Sequence, residues 1–400
     1  MCVKLALIIC VLILFLYFLK RDSIGVMLLF SVMLLFCQRS KLDSIVTGGT
    51  STTSKLNRKV KKSFIIDLRD VDDAAASFFK KRFAYHGWET ASNNFSNFTW
   101  IYRKYYEKYM SYRHGFSLMR ERNQSHILDK MKLHDTLAPK IRKKYMMEQH
   151  YIPVDDSGNF KTDHGMRYKM PDFRDTSWML KPVNSSRGIG ISYAKNKKNV
   201  LKIIRTTDLR EVLEEKRKNY DWMVSKYIDD PLLFKNRKFH MRLYLVVDKV
   251  KNHGAFLYKS GNMFISNKRY DSAITDNAVH NIHVASGAEI KPFPKYFPEK
   301  KRLPKFWKDL AELFTSMKEH LKSEPYSESD FGFNIFGCDI MLTKDYVPKL
   351  LEINAQPRMK SLATKEASSK FIDTLFETTI SRAYGLPSTI VPKKDYIRIM

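Results

Sequence analysis

The sequence predicts a mixed α/β (α+β) fold built around antiparallel sheets. Two observations carry that prediction: a series of short strands broken by turns from Trp178 onward, and a few helical stretches set between them. Composition agrees. The 400 residues are 44% hydrophobic and 28% charged, enough for two or three packed domains. A collagen-like, coiled-coil or wholly disordered chain is excluded.

The chain opens with two apolar runs, Leu5–Leu19 and Ile24–Cys37, separated by Lys20, Arg21 and Asp22. Each makes about 22 Å of helix, short of a ~30 Å hydrocarbon core. With no polar face, they read as a membrane anchor or hairpin over 1–40, and the first run also has the length of a signal-peptide core. Sequons at Asn94, Asn97, Asn123 and Asn184 are compatible with a lumenal body. Residues 41–63, with "VTGGTSTTSK", read as a flexible linker. Residues 64–150 form a basic, aromatic N-terminal domain, 151–224 a central subdomain, 225–385 a C-terminal subdomain and 386–400 a tail. Strands are expected at "SWMLKP", "GIGISYA", "DWMVSKYI", "KFHMRLYLVV", "HGAFLY", "NMFIS", "FGCDIML" and "PKLLEIN", and helices near 207–218, 305–322 and 365–383.

Lys and Arg number 70 against 42 Asp and Glu, a formal net charge of +28. Such an excess favours a polyanionic partner: nucleic acid, an anionic membrane face or an acidic protein segment. The four cysteines exclude a disulfide scaffold, because Cys2, Cys10 and Cys37 lie in or beside the apolar runs; Cys338 reads as a packed strand residue.

Three segments carry chemistry. In Lys238–Val247, alternation sets Phe239, Met241, Leu243 and Leu245 on one face and Lys238, His240, Arg242 and Tyr244 on the other. That second row can line an anionic cleft or form the solvated face of a two-layer sheet. "FGCDIML" and "PKLLEIN", joined by a turn at Asp345-Tyr346, form a hairpin with Asp339 opposite Glu352 and Asn354 on Glu352's face. Two carboxylates and an amide so close call for a cation, either Mg²⁺ or a Lys or Arg from a neighbouring strand. "LKPVNSSRGIGI" places Lys181 and Arg187 around Gly188 and Gly190 between two strands, a loop whose backbone N–H groups suit a phosphate, though not a Walker loop.

In their order and wording, "WMLKPVNSSRGIGI", "VSKYIDDPLLFKNRKFHMRLYLVV" and "FGCDIMLTKDYVPKLLEINAQPRM" resemble the tubulin–tyrosine ligase-like family of amino-acid ligases, of the glutamylase or glycylase type. The resemblance spans about 177–370. It implies an ATP-grasp fold, with antiparallel sheets sandwiching the nucleotide, and ATP and Mg²⁺ as cofactors. By the same resemblance, Lys181, Arg187 and Gly188 contact phosphate, and Ser225, Lys226, Tyr227 and Ile228 form the adenine edge. Lys238, His240, Thr275, Asp276 and Lys130 are further ATP contacts. Asp339, Glu352 and Asn354 bind the metal; Arg242, Lys238 and Glu352 serve catalysis; Arg187, Arg242 and Lys370 meet the substrates. The chain departs from the family at Ser225 (Gln in the family), His240 (Asp), Phe264 (Arg, with Lys268 and Arg269 nearby) and Asp276 (Asn).

The implied reaction activates a protein carboxylate as an acylphosphate, which the amine of a free amino acid attacks. Tubulin C-terminal tails, being acidic, are the expected acceptor, and the basic body would steer them. With no recognisable nucleic-acid module, nucleic acid is not an expected partner. The expected protein is a monomer anchored through its N-terminus, with its body facing the cytosol.

Overall fold

The computed structural model describes residues 62–400, except 69–72, 92–94, 102–112, 119–124, 155–159, 161, 164–165, 168–175, 184–188, 208–220, 249–253, 275–276, 281, 283–286, 322–331, 356, 358–364 and 387–394. The chain divides after Val60. The anchor and almost all of the linker lie outside the described residues. Among the described residues no helix is long and apolar enough to cross a membrane.

Strand β1 is Ser63–Asp67, β2 Glu89–Thr90, β3 Phe95–Ile101, β4 Arg113–Leu118, β5 Gln149–Ile152, β6 Thr162–Asp163 and β7 Met166–Arg167. They are followed by β8 Trp178–Pro182, β9 Ser192–Ala194, β10 Trp222–Lys226, β11 Leu233–Phe234, β12 Arg237–Asp248 and β13 Gly254–Ile265. Four more complete the set: β14 Glu289–Phe293, β15 Gly332–Leu342, β16 Pro348–Ala355 and β17 Tyr396–Arg398. An 11-stranded sheet runs β14-β13-β12-β15-β4-β3-β1-β2, with β11 on β12, β16 on β15 and β17 on β13. A second sheet, of 4 strands, runs β5-β10-β8-β9, and β6 and β7 pair separately.

Several expectations change here. Residues 64–150 are not a separate domain, because β1, β3 and β4 extend the large sheet through β4–β15 pairing. Those added pairs are parallel, so the large sheet is mixed. The 386–400 segment is more than a tail: β17 pairs with β13 at Leu257↔Ile397. "HGAFLY" and "NMFIS" are one strand, β13, whose Lys259-Ser260 is accommodated as a bulge where the β12 register shifts between Leu243 and Leu245. The expected helix near 207–218 falls mostly outside the described residues; a helix that the sequence reading missed, Lys197–Thr206, precedes it, N-capped by the Asn196 side chain. The helix expected over 365–383 is α-helical over Lys365–Leu375 and becomes a π-helix over Phe376–Ser381.

Alternation in β12 holds. Phe239, Met241, Leu243, Leu245 and Val247 enter one core with Leu310, Leu313 and Phe314 of the helix Leu303–Ser316. The opposite face is shared. Tyr244 packs on Phe371 of the helix Lys365–Leu375, with ring centroids 5.0 Å apart. Lys238, His240 and Arg242, nearer the start of the strand, remain to build a site. In the small sheet, Ile152, Trp178, Leu180, Trp222 and Val224 pack under Val200 and Ile204 of the helix Lys197–Thr206.

Of the sequons, Asn97 is only 3% exposed, and its Oδ1 accepts from the Ser63 N–H at 2.8 Å. A glycan has no room there, which removes one of the four hints of a lumenal body. The other three lie outside the described residues.

Gly261 permits the β12–β13 approach. A Cβ on it would sit 2.2 Å from the Arg242 carbonyl oxygen. Gly261→Ala is expected to destabilise the chain by about 1–3 kcal/mol, read as a lower urea midpoint at unchanged slope.

Candidate nucleotide and metal site

The site forms where the Lys/His/Arg row of β12 meets the β15–β16 hairpin. Arg242 stands opposite Asp339 across β12–β15, and Asp339 opposite Glu352 across β15–β16. The hairpin turn holds one residue more than a two-residue turn: the Thr343 N–H bonds the Val347 carbonyl, with Lys344, Asp345 and Tyr346 between them. Leu342 pairs with Pro348 and Ile340 with Leu350, which alone would set Asp339 against Leu351. A bulge between Asp339 and Ile340 shifts the register by one residue and brings Glu352 into line.

Asp339 is held by Arg242, whose Nε and Nη2 donate to its two carboxylate oxygens at 2.5 and 2.8 Å. Asn354 Nδ2 lies 3.2 Å from Asp339 Oδ2 and 3.0 Å from Glu352 Oε1. Lys130 Nζ is 3.5 Å from Glu352 Oε2. Gly337, opposite Asn354, makes room for this arrangement, since a Cβ there would fall 2.8 Å from Arg242 Cδ. The two acids titrate differently. Burial raises the Asp339 carboxyl against the pull of Arg242, and Glu352's like charge adds to the rise. Burial also opposes ionisation of Glu352, but Lys130, Lys181, the Asn354 amide and Arg242 outweigh it and hold this carboxyl at about 2.

Lys181 projects from β8 of the small sheet toward this cluster. Burial lowers its pKa, while the charges of Glu352 and Asp339 work the other way. Lys238 is 2% exposed and donates to Tyr227 Oη at 2.8 Å and to the His280 carbonyl at 3.2 Å. Burial, with Lys181's charge adding to it, lowers Lys238 to about 7. His280 Nε2 lies 2.5 Å from the Ile274 carbonyl, so it carries the proton and Nδ1 is the acceptor of the Tyr227 hydroxyl at 2.7 Å. Donation therefore runs Lys238 to Tyr227 to His280 to Ile274. Tyr193 of β9 stacks on His280 at 3.8 Å. The row on β12 is thus buried at Lys238 and Tyr244 and half-buried at His240 and Arg242, not a solvated outer face.

The structure brings Lys130, Lys181, Tyr227, Lys238, Arg242, Asp339, Glu352 and Asn354 together. It corrects Ser225, which is not on an edge: the residue lies inside the small sheet, paired with Gln149 on one side and Met179 on the other. The Lys226 and Tyr227 N–H groups already bond Glu148 and Ser177 carbonyls, which leaves Ile228 as the next main-chain donor along. Lys370 pairs with Asp395 at 2.8 Å rather than with the acid cluster. His240 stacks on Phe264, its cross-strand partner, at 4.9 Å. Lys268 and Arg269 are exposed. Arg187, Gly188, Thr275 and Asp276 lie outside the described residues. Cys338 points into the core, where burial pushes its thiol up. Sequence reasoning missed the His280 and Tyr193 contributions, because neither sits in a spaced motif.

The donor set fits a hard divalent cation. Two carboxylates and an amide that can turn its Oδ1 inward supply oxygen ligands, leaving positions for phosphate oxygens and water. Among the described residues there is no cluster of three or more His, Cys, Asp or Glu side chains that would complete such a shell from protein alone.

A profile of the tubulin-tyrosine ligase family matches residues 88–396. The chain belongs to the tubulin-tyrosine ligase family. Among its relatives in that family is the probable tubulin polyglutamylase ttll-9 of Caenorhabditis elegans, 26% identical over 221 residues, covering 49% of this chain and 50% of the relative. The probable alpha-tubulin polyglutamylase Ttll1 of Tetrahymena thermophila is 25% identical over 228 residues, covering 52% and 54%. Tubulin glycylase 3B of Drosophila melanogaster is 27% identical over 248 residues, covering 54% and 31%. The chain thus spans about half the length of the first of these curated relatives, and less of some others. The C-terminal domain of K. lactis Pby1, an ATP-grasp enzyme, superposes with a TM-score of 0.53 at 15% identity, over 84% of this chain and 98% of that one. The fold is therefore ATP-grasp-like.

The buried lysine gives a pH signature for this family member. Lys238 titrates at about 7 in the fold and at 10.5 when free, so the unfolded chain holds the extra proton between those values. Stability contributed at this position is expected to rise as pH climbs from about 7 to about 10.5. Lys238→Met should flatten that part of the stability–pH curve relative to the parent, measured by urea unfolding at several pH values.

Proposed function

We propose that this chain is an ATP- and Mg²⁺-dependent ligase joining a free amino acid to a carboxylate of an acidic protein. Tubulin tails are the first acceptor to consider, and glutamate or glycine the donor in preference to tyrosine. The observation that carries this is the convergence of Lys130, Lys181 and Arg242 on the Asp339/Glu352/Asn354 oxygen set. Family membership and the ATP-grasp-like fold support it.

When bound, ATP supplies the phosphoryl group that makes the acceptor carboxylate an acylphosphate, and Mg²⁺ offsets the phosphate charge. Lys181 and Lys130 hold phosphate beside Glu352. Arg242, fixed by Asp339 in a water-poor setting, presents its charge where negative charge accumulates, with no reorganisation needed. Lys238, at about 7, takes up a proton readily when a polyphosphate arrives. No nucleophilic Ser or Cys is required, since the incoming amine is the nucleophile.

The net charge of +28 suits an acidic tail as partner. We further propose that the protein acts as a monomer, anchored by its N-terminal apolar runs with the body on the cytosolic side, where ATP, amino acids and tubulin are found. The His240–Phe264 stack favours a second reading, a nucleotide- and tail-binding protein without turnover, because an aromatic pair stands where the family resemblance sets a charged one.

Incubating the full chain with ATP, Mg²⁺, tubulin and each labelled amino acid, read by mass spectrometry, tests the proposal. Label confined to tubulin tails is expected, reduced more than about a hundredfold by Glu352→Gln with the fold retained. Label on other proteins alone would move the acceptor. ATP–Mg²⁺ binding with no label on any acceptor would establish the second reading.

A further inference from the structure

The helix Leu303–Ser316 turns Leu310, Leu313 and Phe314 onto the β12 face made by Phe239, Met241 and Leu243. Its outer side therefore lies behind the large sheet, away from Arg242 and the acids. Lys301, Lys305 and Lys308 are exposed on that side, four and three residues apart, so they form one stripe. The helix Pro139–Tyr145 runs beside it. Its Lys144 Nζ is 3.4 Å from Asp309 Oδ1 and 2.9 Å from Glu312 Oε2, and the charge of Lys140 is felt at Glu312. Lys140 and Lys144 are exposed as well.

Both acids among these lysines are already matched. Asp309 is buried and accepts from Lys305 Nζ at 2.6 Å, and Glu312 accepts from the Tyr145 hydroxyl at 2.7 Å. The surface is thus left strongly cationic. Aromatic rings border it: half-buried Trp307 lies at the margin of the stripe, and the Arg302 guanidinium stands 5.4 Å from the centre of the half-buried Tyr346 ring. Cationic heads beside partly covered Trp and Tyr rings suit a lipid headgroup layer. With a sheet between them and the cleft, these charges cannot hold phosphate or an acceptor there.

We infer that this outer side of the Leu303–Ser316 helix, with Lys140 and Lys144 beside it, docks on an anionic lipid surface. The choice of lipid rests on the anchoring proposed above for the apolar runs of residues 1–40. An anchored chain meets lipid at an effective concentration in the millimolar range, so a weak electrostatic contact suffices. Docking by this side leaves the opposite face of the sheet, with Arg242, Asp339 and Glu352, open to an acceptor.

Flotation of the full chain tests the inference. A protease site is placed within residues 41–60, and the chain is reconstituted into vesicles of phosphatidylcholine alone or with phosphatidylserine, cut in place and floated. The uncut chain is expected to float with both. After cutting, the body should stay with the anionic vesicles about a hundredfold more than with the neutral ones, and leave them in 1 M salt. Lys301→Gln with Lys308→Gln, which keeps the Lys305–Asp309 bond, should cut that retention about thirtyfold. Lys80→Gln with Lys81→Gln, an equal loss of exposed charge on the helix Asp73–Tyr85, should leave it unchanged. Release of the body from both vesicles, unaltered retention in the first variant or equal loss in the second would overturn the inference alone. So would capture of the cut body by poly-glutamate beads with none on anionic vesicles, which would assign this face to an acidic protein. An uncut chain that floats with neither vesicle would overturn the anchoring proposal and this with it.

Discussion

The arrangement turns on the Arg242–Asp339 ion pair, buried where β12 meets β15. Two charges removed from water are tolerated only when each is matched and hydrogen-bonded. Here the match is bidentate, and the Asn354 amide lies 3.2 Å from Asp339 Oδ2. The surroundings serve that pair. Gly337 leaves space for the Arg242 side chain, Gly261 lets β13 close against its backbone, and the bulge beside Asp339 sets Glu352 in register. Once the pair is in place, Glu352 is the acid left facing Lys130 and Lys181, whose charges hold its carboxyl low, whereas burial raises that of Asp339.

A second buried chain ties the two sheets together. Lys238 belongs to the large sheet, Tyr227 directly follows β10 of the small sheet, and His280 lies in a short helix after β13. One line of donors runs through all three, so the two sheets share a single buried hydrogen-bonded chain.

The departures from the family pattern also gain a physical form. His240 and Phe264 look like two unrelated changes along the chain. They face each other across β12–β13 and stack, so the two departures that the resemblance implies fall on one cross-strand pair. There the unit is a rung of the sheet rather than a position.

Local periodicity by itself determined much of this protein. Alternation in β12 separated the core residues from the cationic row, and the turn near Asp345 brought Asp339 and Glu352 into one hairpin, because side chains of a strand alternate whatever surrounds it. Tertiary structure decided the remainder. It alone joined residues 64–150 to the large sheet, merged two apparent strands into β13, buried Lys238 under Tyr227, and chose Arg242 as the cation beside Asp339. Those outcomes depend on which strands become neighbours and on how much water each charge loses, and neither quantity is written in the spacing of residues along a single segment.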